Sequence, residues 1–535
     1  MTREGIFSGN SATTLGIVSP QLHNISLKPS ETRIYMVTCN ISMQGVVRKL
    51  MKTTLDILLI RSFKISVRSE ETSMAEITLS ESVPSPSEPP QEIIRDGERD
   101  KAILIKVLRQ TLLPFFVAGL GQICTGLFFE RAQHWWFFLY VPEAFILVPA
   151  LLGLKGNLEV TYASRFCTLT NAGQTNKANE IFFIARFNLC LVELQAIVLS
   201  FLAALLSSAI SLINCDFKQS HGTVVLSSGV YAASLSSFVV GFVMIAIVVF
   251  SRRYGADPDN IAAPLTATFS DFVTLIMLIG VGMLMVHIYI HKLYILNIVA
   301  VILLLCTTPF LTYYVTQEPR ARSILRDSSF AITAAIVVGC CSGLLLQSAI
   351  VVFPGIAAFH PLIAGLGGNR VSVQSSRLAT ALHLSEYSLG RLPAGTTIWT
   401  FLNPLRFFCL RHLDSKVAFL LLVTAIPYNF LFVVVVIFTA KNIDFSWIFV
   451  VAYVVAALVQ GLLLFYLCQV TVYGLWWFRM DPDNSSVPVL TSIGDLLGIG
   501  LLYIVFSFLH RFAPSTVFYQ QYQTMNITRQ CGIDF

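Results

Sequence analysis

Eleven stretches of this chain are apolar over ~20 residues or more, the helical length that crosses a hydrocarbon core of ~30 Å. They lie near residues 110–130, 137–160, 182–212, 223–250, 261–287, 293–316, 329–350, 354–381, 417–440, 444–476 and 485–509. Charged residues are only 12% of the chain against 55% hydrophobic ones, and they crowd into the short stretches between the apolar runs. A soluble globule carries about a quarter charged residues. A spanning segment must satisfy its own backbone, so the expected fold is an all-α integral membrane protein of about 11 transmembrane helices.

The net charge of +6 calls for no nucleic acid, because Lys and Arg flank the apolar runs instead of forming one patch. Read as topology signals, they put the N-terminus in the cytoplasm. Lys101, Lys106, Arg109, Arg165, Lys177, Arg252, Arg253, Arg320, Arg322, Arg326, Arg377, Arg391, Arg406, Arg411, Lys416 and Arg479 then fall inside, and only Arg131, Lys218, Lys292 and Lys441 outside. An odd number of spans leaves residues 513–535 as an extracellular tail carrying the sequon Asn526-Ile527-Thr528. Residues 1–100 contain no signal-peptide core and read as a cytoplasmic, largely disordered tail, Ser/Pro/Glu-rich from Ser80 to Asp100. Its basic stretch 45–68 reads as a solvated, partly helical segment, with contact to an anionic leaflet as the alternative. The plasma membrane is the expected location. Of the eleven cysteines, Cys124, Cys167, Cys190, Cys306, Cys340, Cys341 and Cys468 sit in or near apolar runs without metal-ligand spacing, which suggests buried free thiols.

The chain also resembles itself. Pro149-Ala-Leu-Leu-Gly153-Leu-Lys-Gly156-Asn157 matches Pro361-Leu-Ile-Ala-Gly365-Leu-Gly-Gly368-Asn369, 212 residues later. Asp257-Pro258-Asp259-Asn260, Pro264 and Asp271 match Asp481-Pro482-Asp483-Asn484, Pro488 and Asp495, 224 residues later and with the same internal spacing. A weaker pair, Cys124-Thr-Gly126-Leu and Cys341-Ser-Gly343-Leu, precedes both. The order implies two tandem five-helix repeats, 105–290 and 325–512, joined by a linking transmembrane helix at 291–317. That extra span restores the orientation of the second repeat, so the two are expected to be related by a pseudo-twofold axis along the membrane normal.

An ionisable group within hydrocarbon costs several kcal/mol unless it meets water, a partner or an ion. Asp271 and Asp495 each lie eleven residues beyond the Asn of a DPDN turn, hence ~16 Å into the membrane. Ala267, Thr268 and Thr274 share a face with Asp271, as Thr491, Ser492 and Gly498 do with Asp495. Two carboxylates balance one divalent cation, and Mg²⁺, which loses water reluctantly, would be held through its hydration shell. The competing reading is a pair of buried acids bonded to neighbouring helices. The Pro149 and Pro361 segments predict broken helices whose carbonyls, with Asn157 and Asn369, face the path; close packing through the glycines explains the same residues. Asp259, Asn260, Asp483 and Asn484 read as helix caps, and Asp257, Asp259, Asp481 and Asp483 as acids at a cytoplasmic mouth. Glu143, Glu159 and Glu193 occur only in the first half, Glu159 aligning with Val371; Lys155 is placed to neutralise Glu159 on one helical face.

At these residues the chain resembles the solute carrier family 41 proteins, eukaryotic relatives of the bacterial MgtE magnesium channels. The resemblance rests on residues 145–159, Asp257–Asn260, Pro361–Asn369, and Asp481–Asn484 with Gly494-Asp495, and covers nearly all of 105–512. It implies Mg²⁺ transport by a monomer that stands in for a homodimer, with Asp271 and Asp495 at the ion path. Ser270 departs from the Gly that the resemblance leads one to expect, and the bacterial cytosolic sensor domains have no counterpart. A channel and an exchanger, with Na⁺ as the coupling ion, both need such a path. The competing functions are an intramembrane aspartyl protease, for which Ser492-Ile-Gly494-Asp495 lacks the first Gly of a Gly-x-Gly-Asp motif, and an organic-solute carrier.

Overall fold

The computed structural model describes residues 89–171, 178–213, 219–253, 258–383, 389–392, 398–404, 407, 412–440 and 445–514. The basic stretch 45–68, Asp257 and the sequon at Asn526 lie outside them. The described residues hold α-helices and no strand. In chain order these are α1 (Pro89–Ala132), α2 (Trp136–Tyr140), α3 (Ala144–Asn171), α4 (Ala178–Ile213), α5 (Gln219–Arg253), α6 (Pro258–Ile290), α7 (Tyr294–Leu305) and α8 (Thr308–Thr316). There follow α9 (Pro319–Val352), α10 (Ile356–His383), α11 (Ile398–Leu402), α12 (Leu413–Ala440), α13 (Trp447–Trp477) and α14 (Pro482–Phe512).

Ten segments are long and apolar enough to cross a membrane, α7 and α8 together counting as one. The chain is a multi-pass membrane protein. The eleventh expected span, 354–381, is a helix of sufficient length, but Arg370, Gln374, Arg377 and His383 make α10 too polar to face lipid. It is instead enclosed by α1, α12, α13 and α14. The expected span 137–160 is divided: α2 ends at Tyr140, and α3 starts after Pro142-Glu143, because Pro forces the residue before it out of the helical region. The span 293–316 likewise divides at Cys306-Thr307, just before Pro309. Residues 89–100, expected to be disordered, continue α1, since adding a turn to an existing helix avoids the cost of nucleation.

The predicted breaks at Pro149 and Pro361 are absent. Each proline is the sixth residue of its helix, where only one early backbone bond is lost, and both helices run on without interruption. The DPDN turns also differ from expectation. α6 and α14 begin at Pro258 and Pro482, so Pro takes the first helical position that suits its fixed φ, and Asp481 precedes the helix. Asp259, Asn260, Asp483 and Asn484 are therefore inside the first turn and are not the caps.

Most of the helix packing is kept when α1, α3, α4, α5 and α6 are exchanged with α9, α10, α12, α13 and α14, but the packing of α3 on α14 has no equal between α10 and α6. The largest packing across the seam is α1 against α10 and α9 against α3, with α1 also meeting α12, α4 meeting α9 and α3 meeting α14. At these crossings the weak glycine match acquires a cause. A Cβ on Gly126 would stand 2.2 Å from the Ala358 carbonyl oxygen, and one on Gly343 would stand 2.0 Å from that of Ile146. Only glycine lets backbones approach so closely. The same reciprocity recurs beside the crossings, where Gln133 Nε2 donates to Pro354 O (3.1 Å) and Gln347 Nε2 donates to Pro142 O (3.2 Å).

Of the cysteines, Cys340 and Cys468 are buried, but Cys124, Cys306 and Cys341 lie on exposed helix faces, contrary to the expectation of burial. An apolar exterior accepts a thiol as readily as an apolar core does.

Candidate functional site: two carboxylates on one glycine face

Asp271 and Asp495 are the fourteenth residues of α6 and α14, ~20 Å from the helix starts. Both are half-buried. What brings them together is α3. A Cβ on Gly153 would lie 3.6 Å from Asp495 Oδ2 and 3.8 Å from Ser492 Oγ, and one on Gly156 would lie 3.5 Å from Asp271 Oδ1. Positions three apart on a helix have Cβ sites ~5–6 Å from each other, so the carboxylates stand within roughly 13 Å, one from each half. The repeated glycines thus leave open the strip of helix that both acids face.

The partners of the two acids differ. Gln122 Nε2 donates to Asp271 Oδ2 at 2.6 Å, and the same side chain fills the groove above Gly365. Gly339, the position corresponding to Gln122 in the second half, has no side chain and packs on Ala150. Asn157 Nδ2 donates to Thr491 Oγ1 at 3.2 Å, a bond that crosses the seam. Its symmetry mate would join Asn369 to Ala267, which has no hydroxyl. Ser492 is buried in the same strip, whereas the side chain of Thr268 lies outside the described residues.

A second buried group lies behind Asp271. Lys155 Nζ pairs with Glu159 at 2.5 Å and donates to Ser237 Oγ, while Ser234 donates to Glu193. The spacing-based pairing of Lys155 with Glu159 is therefore present. Ser270 is fully buried, and the hydroxyl that replaces the expected glycine has no hydrogen-bond partner among the described residues.

Glu143 is not part of this constellation. It lies ten residues before Gly153, ~15 Å along the chain's rise, with His221 Nδ1 3.2 Å from its Oε1. Asp481 is at the far end of α14, 3.1 Å from His383 Nε2. The side chains of Asp259 and Asp483 lie outside the described residues. Among the described residues, no three His, Cys, Asp or Glu side chains group closely enough to hold a metal ion.

Comparison with known proteins fits this duplicated arrangement. The family model described as MgtE, divalent cation transporter, matches twice, over residues 148–281 and 360–505. Solute carrier family 41 member 3 of Mus musculus is 36% identical over 403 residues, 74% of this chain and 81% of the relative. Member 2 of Xenopus laevis is 34% identical over 429 residues (77% and 76%), and member 2 of Homo sapiens is 33% identical over 433 residues (78% and 75%). No solved structure matches the chain. The chain belongs to the MgtE family of divalent cation transporters, within which its relatives are solute carrier family 41 proteins.

Proposed function

We propose that this chain carries Mg²⁺ across the membrane along the seam between its repeats, 105–290 and 325–512, with Asp271 and Asp495 as the carboxylates that hold the ion. One observation carries the reading: two intramembrane acids from different repeats lie against a single pair of glycines on α3. Two negative charges balance one divalent cation, and the missing side chains leave space for water between carboxylate and metal. A pair of carboxylates without further clustered ligands suits an ion held through its hydration shell. Asn157, Thr491, Ser492, Thr268 and Asn369 line the path in this reading, and Asp257, Asp259, Asp481 and Asp483 attract cations at its cytoplasmic mouth. The chain acts as a monomeric pseudo-dimer in the plasma membrane, N-terminus inside.

Purified protein in liposomes tests the proposal. Mg²⁺ flux is measured against Ca²⁺, with and without a Na⁺ gradient that separates exchange from conduction. Asp271→Asn and Asp495→Asn each keep side-chain shape and remove one charge, and each is expected to abolish most of the flux. Wild-type flux in both variants would eliminate this site.

A further inference from the structure

The first half contains a buried cation with its counter-charge supplied by the chain: Lys155, fully buried, against Glu159 at 2.5 Å. The second half contains a buried cation without one. Arg370 on α10 is 5% exposed, and its Nη1 donates only to the carbonyl of Leu366 in its own helix, at 3.2 Å. Nε and Nη2 have no acceptor, and no described carboxylate forms an ion pair with the guanidinium. The ring of Phe115 lies 5.3 Å from the guanidinium carbon, and the Tyr428 and Tyr453 hydroxyls, which carry no charge, are near it. A guanidinium does not lose its proton in a protein, and a charge in a low-dielectric interior requires an opposite charge or an ion.

The repeat shows where that charge is missing. Position 155 corresponds to Gly367, 159 to Val371 and, with the 224-residue spacing of α6 and α14 carried back along α5 and α13, Ser237 to Gly461. The ammonium, carboxylate and hydroxyl of the first half are thus replaced by two glycines and a valine. A cavity occupies the vacated place. Gly367, Arg370, Val371, Asn429, Gln460 and Gly461 line it, and it has room for about one water-sized guest. Asn429 is 2% exposed with a side-chain oxygen that bonds nothing, and turning its amide over offers two N–H donors instead. Gln460 Nε2 is fixed on Gly494 O at 2.8 Å, which ties the cavity wall to α14.

We propose that Arg370 and this cavity between α10, α12 and α13 bind one chloride-sized monovalent anion, which serves the second half as Glu159 serves the first. Water would satisfy the idle N–H groups but would leave the charge unbalanced. A single halide does both, and the apolar remainder of the lining favours a weakly hydrated anion over a multivalent one.

The test uses full-length protein in detergent, its thermal unfolding followed in sodium gluconate as sodium chloride or sodium bromide replaces it at constant ionic strength. The expected result is a rise of about 3 °C at a hundredfold excess over the dissociation constant, growing with the logarithm of halide concentration. Arg370→Gln should abolish the rise. Val371→Glu should abolish it as well, by restoring the intrachain carboxylate, while leaving the protein at least as stable in gluconate as wild type is. Should Arg370→Gln fail to fold, the Val371→Glu comparison decides. A wild-type protein indifferent to halide at constant ionic strength, or a halide response preserved in Val371→Glu, would overturn the proposal.

Discussion

The glycine strip makes a demanding test because its loss should impair transport without harming the fold. In Gly156→Ala the new methyl stands 3.5 Å from Asp271 Oδ1, an ordinary contact distance, so no helix has to move. The backbone gains, since alanine in a helix interior is favoured over glycine by ~0.5–1 kcal/mol. What the methyl takes is the position of a water that would bond the carboxylate from that side. A hydrogen bond to a charged group is worth ~1.5–3 kcal/mol, and 1.4 kcal/mol is a factor of about ten. Apparent Mg²⁺ affinity in a liposome flux titration should therefore fall roughly 10- to 150-fold, while the melting temperature stays at or above that of wild type. Gly153→Ala, whose methyl meets Asp495 Oδ2 at 3.6 Å, should behave alike. A double variant with wild-type affinity would show that no hydrated ion passes between α3 and the two acids.

Two further outcomes concern packing. Lys155→Met strands Glu159 as a buried, uncompensated charge, a loss of ~3–5 kcal/mol that corresponds to a fall of roughly 3–5 °C in melting temperature for a chain of this size; Lys155→Met with Glu159→Gln should recover most of it. Gly343→Ala drives a methyl to 2.0 Å from the Ile146 carbonyl oxygen and should lose ~1–3 kcal/mol or more, read as reduced melting temperature and poor monodispersity, whereas Gly280→Ala, with nothing within 4 Å, should be neutral or slightly stabilising.

Much of the arrangement is legible in the sequence because it is written twice. A lone Asp in an apolar run is ambiguous, but Asp271 and Asp495 recur at matched spacing from matched turns; that both lie against Gly153 and Gly156, while Gly365 and Gly368 meet Gln122 and Thr491, is not written in the repeat. The Lys155–Glu159 pair is legible for another reason, since four residues is the spacing of neighbours on one helical face. Gln122 carries no such signal. It is a single amide in an apolar run, without a counterpart in the other half, and its partner is 149 residues away. The bond between Asn157 and Thr491 is hidden for the same reason: it joins segments that only the folded seam brings together. Pro149 and Pro361 do not break their helices because their place near the helix start, which the mere presence of a proline does not reveal, removes little hydrogen bonding.

The reciprocal crossings at Gly126 and Gly343 make the two halves a clasp. Each reaches over and is held by the backbone of its twin, at distances that leave no slack for sliding. Halves joined in that way would resist swinging apart like two doors on one hinge, so in the proposed transport the motion falls to something thinner than a repeat: a side chain, a turn of helix, or an outer helix.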